Sequence, residues 1–344
     1  MSAPELEAPR RILVRLPNWV GDVLMATPAL RALRDRYPAA EMIVEGRPML
    51  AELLTGLRSV DRFVADPGQG LAGVLERRSS LRRLACDWAV LLPDSVRAAL
   101  APALARIPLR IGYARDAVRR ALLTRALAPP PRGEPISMVE RYLAIVRALG
   151  CADPEPGLEI AVSEAARQRV RARLRGLGIR DDAALCVVTP GASFGSSKLW
   201  PPEHFARACD ALTERFGLRA LLAPGPAEEA LADEVVRRAK VPLLSLVEPP
   251  TTLGELAALI ERARLVLTND TGPRHMAVAL GVPVVVLMGP TDPRHTLHLL
   301  ERQRVLREPV ECSPCHLKVC PIDHRCMTRL APERVLEAAA ELLP

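Results

Sequence analysis

Ile12-Leu13-Val14-Arg15-Leu16-Pro17-Asn18-Trp19-Val20-Gly21-Asp22 decides how the chain folds. Its first five residues make an almost unbroken apolar run of strand length, which suits a strand covered on both faces. Pro17 and Asn18 interrupt it, a helical period follows over residues 22–37, and a second apolar run begins at 42–44. Strand, helix and strand in that order make a βαβ unit, in which the two strands lie parallel. Gly21 permits a tight turn or the close approach of a ligand, and Asp22 places a carboxylate at the strand's carboxyl end, where the helix starts. Two duties suit that carboxylate: capping the helix, or acting on something bound beyond the strand.

The alternation continues outward with strands at 87–92 and 110–113 and a helix at 138–149, which predicts a parallel sheet with helices on both faces. Residues 150–156 (Gly-Cys-Ala-Asp-Pro-Glu-Pro) concentrate chain breakers and mark a linker. A second series starts near 163–177 with a helix. Its strands are expected at 185–189, 219–223, 243–246, 265–268 and 284–288, with helices at 203–216, 227–239, 253–263 and 275–280. The length, 344 residues, is more than one core usually absorbs. Two doubly wound α/β domains in tandem are therefore expected, with ligands in a cleft at the carboxyl ends of their sheets.

Composition narrows the function classes. The apolar run 277–290 is too short for a hydrocarbon layer that takes about 20 residues to cross, so no transmembrane segment is expected. Residues 1–11 carry Glu5, Glu7 and two arginines without the apolar centre of a secretory signal, which points to the cytoplasm. The net charge is +7, with 23 basic against 18 acidic residues up to position 160 and 24 against 22 beyond it. That excess suits an acidic partner and falls short of a nucleic-acid footprint. Arginine outnumbers lysine 44 to 3, so a loop lysine stands out.

One such lysine lies in Pro190-Gly191-Ala192-Ser193-Phe194-Gly195-Ser196-Ser197-Lys198-Leu199-Trp200-Pro201. Small residues keep amides accessible, Ser196 and Ser197 add hydroxyls and Lys198 a compact cation, a set that suits either phosphate oxygens or a flexible connector. It is not a P-loop, because no hydroxyl residue follows Lys198, and the opening stretch lacks the Gly-x-Gly-x-x-Gly of dinucleotide oxidoreductases. After residues 265–268 comes Asn269-Asp270-Thr271-Gly272-Pro273-Arg274-His275. There Asp270 and Thr271 either cap a helix or border amides aimed at an anion. Glu228, behind Gly225-Pro226, suits ribose hydroxyls or the first turn of a helix. His275 is a structural donor or a base. Cys312, Cys315, Cys320 and Cys326, interleaved with His316 and His324, have a spacing open to a structural zinc or iron ion or to free thiols. The scattered Cys86, Cys151, Cys186 and Cys209 read as buried thiols.

Taken in order, the stretches 16–22, 190–201 and 268–275, with Met288-Gly289-Pro290-Thr291, resemble the ADP-heptose:lipopolysaccharide heptosyltransferases of glycosyltransferase family 9, and the heptosyltransferase II branch in particular. The likeness runs from about Ile12 to a final helix at 332–343. It implies a GT-B fold: an acceptor-binding Rossmann-like domain over 1–160, a nucleotide-sugar domain over 161–330, and a helix over 331–344 returning toward the first. It implies that Asp22 is the general base, taking the acceptor hydroxyl's proton as that oxygen attacks the anomeric carbon with inversion, with Asn18, Trp19 and Gly21 on the acceptor side. Ser196, Ser197, Lys198, Asp270, Thr271 and Gly272 would hold the diphosphate, Glu228 the ribose, and His275 would join the donor site. The implied donor is ADP-heptose. The implied acceptor is an acidic, lipid-linked oligosaccharide at the inner face of the cytoplasmic membrane, with no nucleic acid involved. A fixed cation and a helix dipole suffice for the leaving group, so no catalytic cofactor is implied. Cysteine clusters occur in many relatives, and a related protein-glycosylating group binds iron through one. Two stretches depart from the pattern: Arg274 stands where relatives often carry a smaller or apolar residue, and Leu246-Val247-Glu248-Pro249-Pro250 replaces a Leu-Ala-Gly stretch near the adenine. The alternatives are the same donor chemistry on a protein or small-molecule acceptor, and a non-catalytic nucleotide or metal sensor.

Overall fold

The computed structural model describes residues 7–68, 70–131, 135–296 and 298–343. Residues 1–6 of the stretch inspected for a secretory signal, and Pro344 at the end of the last helix, lie outside the described residues. The chain divides into two units, Met1–Ala161 and Val162–Pro344.

The first unit is built on β1 (Arg11–Arg15), β2 (Glu41–Gly46), β3 (Arg62–Ala65), β4 (Trp88–Leu91), β5 (Leu109–Tyr113) and β6 (Arg125–Leu127), all parallel, in the order β3-β2-β1-β4-β5-β6. Its helices are α1 (Val20–Met25), α2 (Thr27–Arg36), α3 (Ala51–Leu54), α4 (Gly70–Leu84), α5 (Val96–Leu104), α6 (Ala117–Leu122) and α7 (Met138–Arg147). Val14 of β1 pairs with Val44 on one side and Val90 on the other, in the middle of a core that neither face exposes. The edge strands β3 and β6 are short and half-exposed. They lack the two-sided apolar run, and the sequence reading passed over them along with α4, α5 and α6.

A single helix over 22–37 is expected, and two are found, joined at Ala26. Pro28 is the cause: it has no N–H to give to the Leu24 carbonyl. The Thr27 hydroxyl donates to that carbonyl instead, at 2.7 Å, and accepts from the Glu159 amide at 2.8 Å. That second bond, with Arg31–Glu159 at 3.0 Å and the Ala161 amide on Leu53 at 2.7 Å, ties the chain beyond the breaker-rich 150–156 stretch to the first unit. The division therefore falls after Ala161 rather than at the breakers.

The second unit opens with α8 (Glu164–Gly176), capped by the Ser163 hydroxyl. It continues through β7 (Leu185–Thr189), α9 (Pro202–Phe216), β8 (Arg219–Leu222), α10 (Glu229–Arg238), β9 (Leu244–Ser245), α11 (Leu253–Glu261) and β10 (Leu265–Asn269). After these come α12 (Gly272–Ala279), β11 (Val284–Leu287), β12 (Gln303–Leu306), α13 (Arg325–Thr328) and α14 (Glu333–Leu342). The strands are again parallel, in the order β12-β11-β10-β7-β8-β9. Counted within each unit, both sheets run 3-2-1-4-5-6, the doubly wound order whose direction reverses between the first and fourth strands. Those switch points lie between β1 and β4 in one unit and between β7 and β10 in the other. Trp200, fully buried and edge-on to Phe205 at 5.0 Å, anchors the second core. The final helix packs on α9, β11 and β12. The scattered Cys86, Cys151, Cys186 and Cys209 are buried and unpaired as expected.

Candidate functional site

At the switch point of the second sheet, the loops leaving β7 and β10 are stapled together. The Thr189 and Thr268 hydroxyls meet at 2.6 Å across the two strands. Asn269, wholly buried, donates to the carbonyls of Pro190 (2.6 Å) and Gly191 (3.3 Å) and accepts from the Trp200 amide. That organising role escaped the sequence reading, although a polar residue ending an otherwise apolar strand was a usable signal.

The staple brings Lys198 onto Asp270. The ammonium donates to the Asp270 carboxylate at 2.8 Å and to its backbone carbonyl at 2.7 Å. The same carboxylate accepts from Arg274 at 2.7 Å and from the Thr291 hydroxyl at 2.8 Å. Arg274 is completely buried and also reaches Gln303 and Thr296. Asp270 therefore does not cap α12; Thr271 occupies the cap position, and its side chain makes no cap hydrogen bond. Burial by itself would push the Asp270 carboxyl up, yet Lys198 and Arg274 outweigh it and hold the group well below the usual carboxylate range. Burial, reinforced by Arg274, pushes His275 down to about 3, which leaves a neutral imidazole near neutral pH. Two cations against one carboxylate leave this centre with a surplus of +1 at the start of α12. A helix start of that kind favours an anion.

Glu228 lies beside the same loop. It occupies the cap position of α10 without capping it, and accepts instead from the Gly225 amide at 2.7 Å. Burial raises its pKa. A Cβ added to Gly191 would fall 1.8 Å from the Glu228 carboxylate, so the glycine makes room for that side chain. Ser196 remains exposed. Ser197 departs from the expected role: it is buried, and its hydroxyl donates to the Leu317 carbonyl.

That contact shows what the cysteine-rich stretch does. The Ser197 amide donates to the Lys318 carbonyl at 3.0 Å, and the Ser197 carbonyl lies 2.7 Å from His324 Nε2. The Cys315 and His316 amides both donate to the Pro290 carbonyl. Gly195, at φ 155°, approaches so closely that an added Cβ would sit 2.3 Å from the Lys318 oxygen. The stretch thus buttresses the serine–lysine loop against the end of β11. Among the described residues no three His, Cys, Asp or Glu side chains gather as ligands for an ion. Cys326 is buried, and burial, with Cys312, Cys320 and Cys315 close enough to add to it, pushes its thiol up to about 11. Cys312, Cys315 and Cys320 all come within electrostatic reach of Cys326, so the four expected cysteines share one neighbourhood.

In the first unit, Asp22 is the third residue of α1 and not its cap, which is Trp19. Asp22 is partly exposed, and its charge adds to burial in raising the phenol of Tyr142 on α7. Trp19 is 50% exposed, with Asn18 beside it at the surface and Gly21 half-buried.

Comparison with known proteins fits this arrangement. The model of glycosyltransferase family 9 (heptosyltransferase) matches residues 74–325. The chain is 31% identical to lipopolysaccharide heptosyltransferase 2 of Escherichia coli K12, over 97% of its own length and 98% of the relative's. The solved structure of E. coli ADP-heptose LPS heptosyltransferase II superposes with a TM-score of 0.80 at 29% identity, covering 97% of this chain and 98% of that one. A family 9 glycosyl transferase from Veillonella parvula gives 0.85 at 24% identity, with 99% of each chain covered, and speaks for the fold. The two doubly wound units are those of a GT-B glycosyltransferase, and the chain belongs to glycosyltransferase family 9, the heptosyltransferases.

Proposed function

We propose that this protein transfers heptose from ADP-heptose to the heptosylated inner core of lipopolysaccharide, the reaction of a heptosyltransferase II. The observation that carries the reading is the Lys198–Asp270–Arg274 centre, a cation surplus at a helix start on the switch point of the second sheet. In this reading the diphosphate lies against Lys198, Ser196 and the amides of Thr271 and Gly272, and the ribose hydroxyls donate to Glu228. Asp270 positions Lys198 and does not touch the phosphates, because a carboxylate has only acceptors to offer. His275, neutral and buried, supports α12 from behind.

An acceptor hydroxyl attacks the anomeric carbon, and the bond from that carbon to the diphosphate oxygen breaks. ADP departs with the bonding pair, and the hydroxyl proton passes to Asp22. Lys198 and the helix amides take up the negative charge that develops on the leaving oxygen, so the protein itself meets the electrostatic demand of the step. Among the described residues no helix is long and apolar enough to cross a membrane. In the proposal, the enzyme meets its lipid-linked acceptor from the cytoplasmic side, as a peripheral protein.

The test is incubation with ADP-heptose and heptosylated lipid core, and in parallel with a polypeptide acceptor, following ADP release and product mass. Transfer to the lipid alone is expected, and transfer to the polypeptide alone would replace the acceptor assignment. Asp22→Asn should lower turnover at least about a hundredfold while donor affinity holds. Unaltered turnover would remove Asp22 from the mechanism.

A further inference from the structure

The buttress formed by the cysteine-rich stretch leaves its thiols unused. No helix or strand spans residues 307–324, so the chain there is held by a few bonds only. Gly289 and Pro290, just beyond β11, gather its two ends. The Gly289 carbonyl accepts from the Ser313 hydroxyl at 2.6 Å, and the Pro290 carbonyl from the Cys315 amide at 3.0 Å. Cys326 presses on the same glycine, since a Cβ added to Gly289 would sit 2.8 Å from the Cys326 Sγ. The turn from Cys312 to Cys315 and the Cys326 thiol thus flank one residue.

These thiols differ in access: Cys312 is exposed and Cys326 buried, and both are free. Between them in the chain lie the groups that hold Ser197, namely the Leu317 and Lys318 carbonyls and the His324 ring. Lys198, on which the proposed donor site depends, is the next residue. The contact has no slack, because Gly195 already lies too close to the Lys318 carbonyl for any side chain to fit between them. Whatever shifts residues 313–325 therefore shifts the serine–lysine loop.

We infer that Cys312 and Cys326 form a reversible disulfide that loosens this loop, so that donor binding responds to the thiol–disulfide balance around the protein. The inference rests on the donor reading of Lys198 given above. In the first step the Cys312 thiolate attacks one sulfur of a small disulfide such as glutathione disulfide, and a glutathione thiolate leaves. Cys326, giving up its proton, then attacks the Cys312 sulfur of the mixed disulfide and expels the second glutathione. Two protein thiols are oxidised, one small disulfide is reduced to two thiols, and the protons from the cysteines end on the departing thiolates. The two sulfurs must close to a bond length of about 2.0 Å, and the residues between them move as they do. Among reduced cytoplasmic thiols such a bond is transient, as in proteins that sense oxidation.

The full chain, reduced and then treated with excess glutathione disulfide, tests this. After alkylation of the remaining thiols, peptide mass mapping should find Cys312 joined to Cys326. ADP affinity by titration calorimetry should fall about tenfold, the weight of roughly one hydrogen bond, and dithiothreitol should reverse both changes. Hydrogen exchange in the 190–201 loop should quicken on oxidation, a readout that needs no ligand. Cys312→Ser, at an exposed position outside the donor site, should bind ADP as the reduced protein does and ignore the oxidant. Cys312 left free or carrying only glutathione, or a crosslink that changes neither ADP affinity nor exchange, overturns the proposal. So does a stoichiometric metal ion that shields the four thiols until a chelator removes it. Should the reduced protein bind no ADP while the loop still responds to oxidation, the donor reading falls and the thiol switch on that loop stands.

Discussion

The two units have the same strand order, yet the carboxyl ends of their sheets are furnished in opposite ways. In the second unit the charges are closed on one another: Lys198, Asp270, Arg274 and Thr291 meet at 2.7–2.8 Å, and Arg274 has no exposed surface. In the first, Arg15 is buried with two nitrogens unpartnered and Arg47 stands exposed. Topology decides where a ligand gathers, and the residues that leave the strands decide whether the charges there are closed on one another beforehand or left open. A preassembled centre spends no reorganisation when the diphosphate departs, as leaving-group stabilisation requires.

Substitutions in the closed centre put that contrast under the greatest strain. Lys198→Ala should lower kcat by about 10²–10³ while leaving acceptor KM unchanged, as steady-state kinetics with each substrate varied would show. A rise in acceptor KM instead would blur the division of labour between the units. Arg274→Met removes a buried partner of Asp270 and should destabilise the protein by about 3 kcal/mol in urea unfolding. Little loss would mean that the network is less closed than its distances indicate. A smaller effect is expected of Gly191→Ala. The carboxylate it meets is the far end of a flexible side chain, so Glu228 should swing aside, donor KM should rise about tenfold as in Glu228→Gln, and stability should hold. The smallest is that of Ser197→Ala, which forfeits the bond to Leu317 and about 1 kcal/mol of stability with turnover intact. A fall in turnover there would restore Ser197 to the donor site.

Much of this was legible in the chain itself. The runs at β1, β7, β10 and β11 are apolar because strands covered on both faces must be, and the loops after β1, β7 and β10 carry the residues that mark the family. Those two facts place Asp22, Lys198 and Asp270 at strand ends before any coordinate is consulted. Edge strands β3, β6 and β12 could not be read so firmly, since one open side relaxes the demand for apolar residues, although the fourth edge strand, β9, is expected at 243–246. The break between α1 and α2 was signalled by Pro28, but the hydroxyl that repairs it was not.

What only the tertiary structure decided is pairing. Lys198 and Asp270 are 72 positions apart, and the Arg77 and Glu45 that share a buried ion pair are separated by 32. Local pattern reports the environment each residue needs, and says nothing of which distant residue supplies it. That depends on which strands lie side by side, and neighbours in a doubly wound sheet are often far apart in the chain. The same reason brought Asp270 onto Lys198, Ser197 onto the cysteine-rich stretch, and four arginines from separate elements, Arg15, Arg47, Arg77 and Arg97, into one cavity.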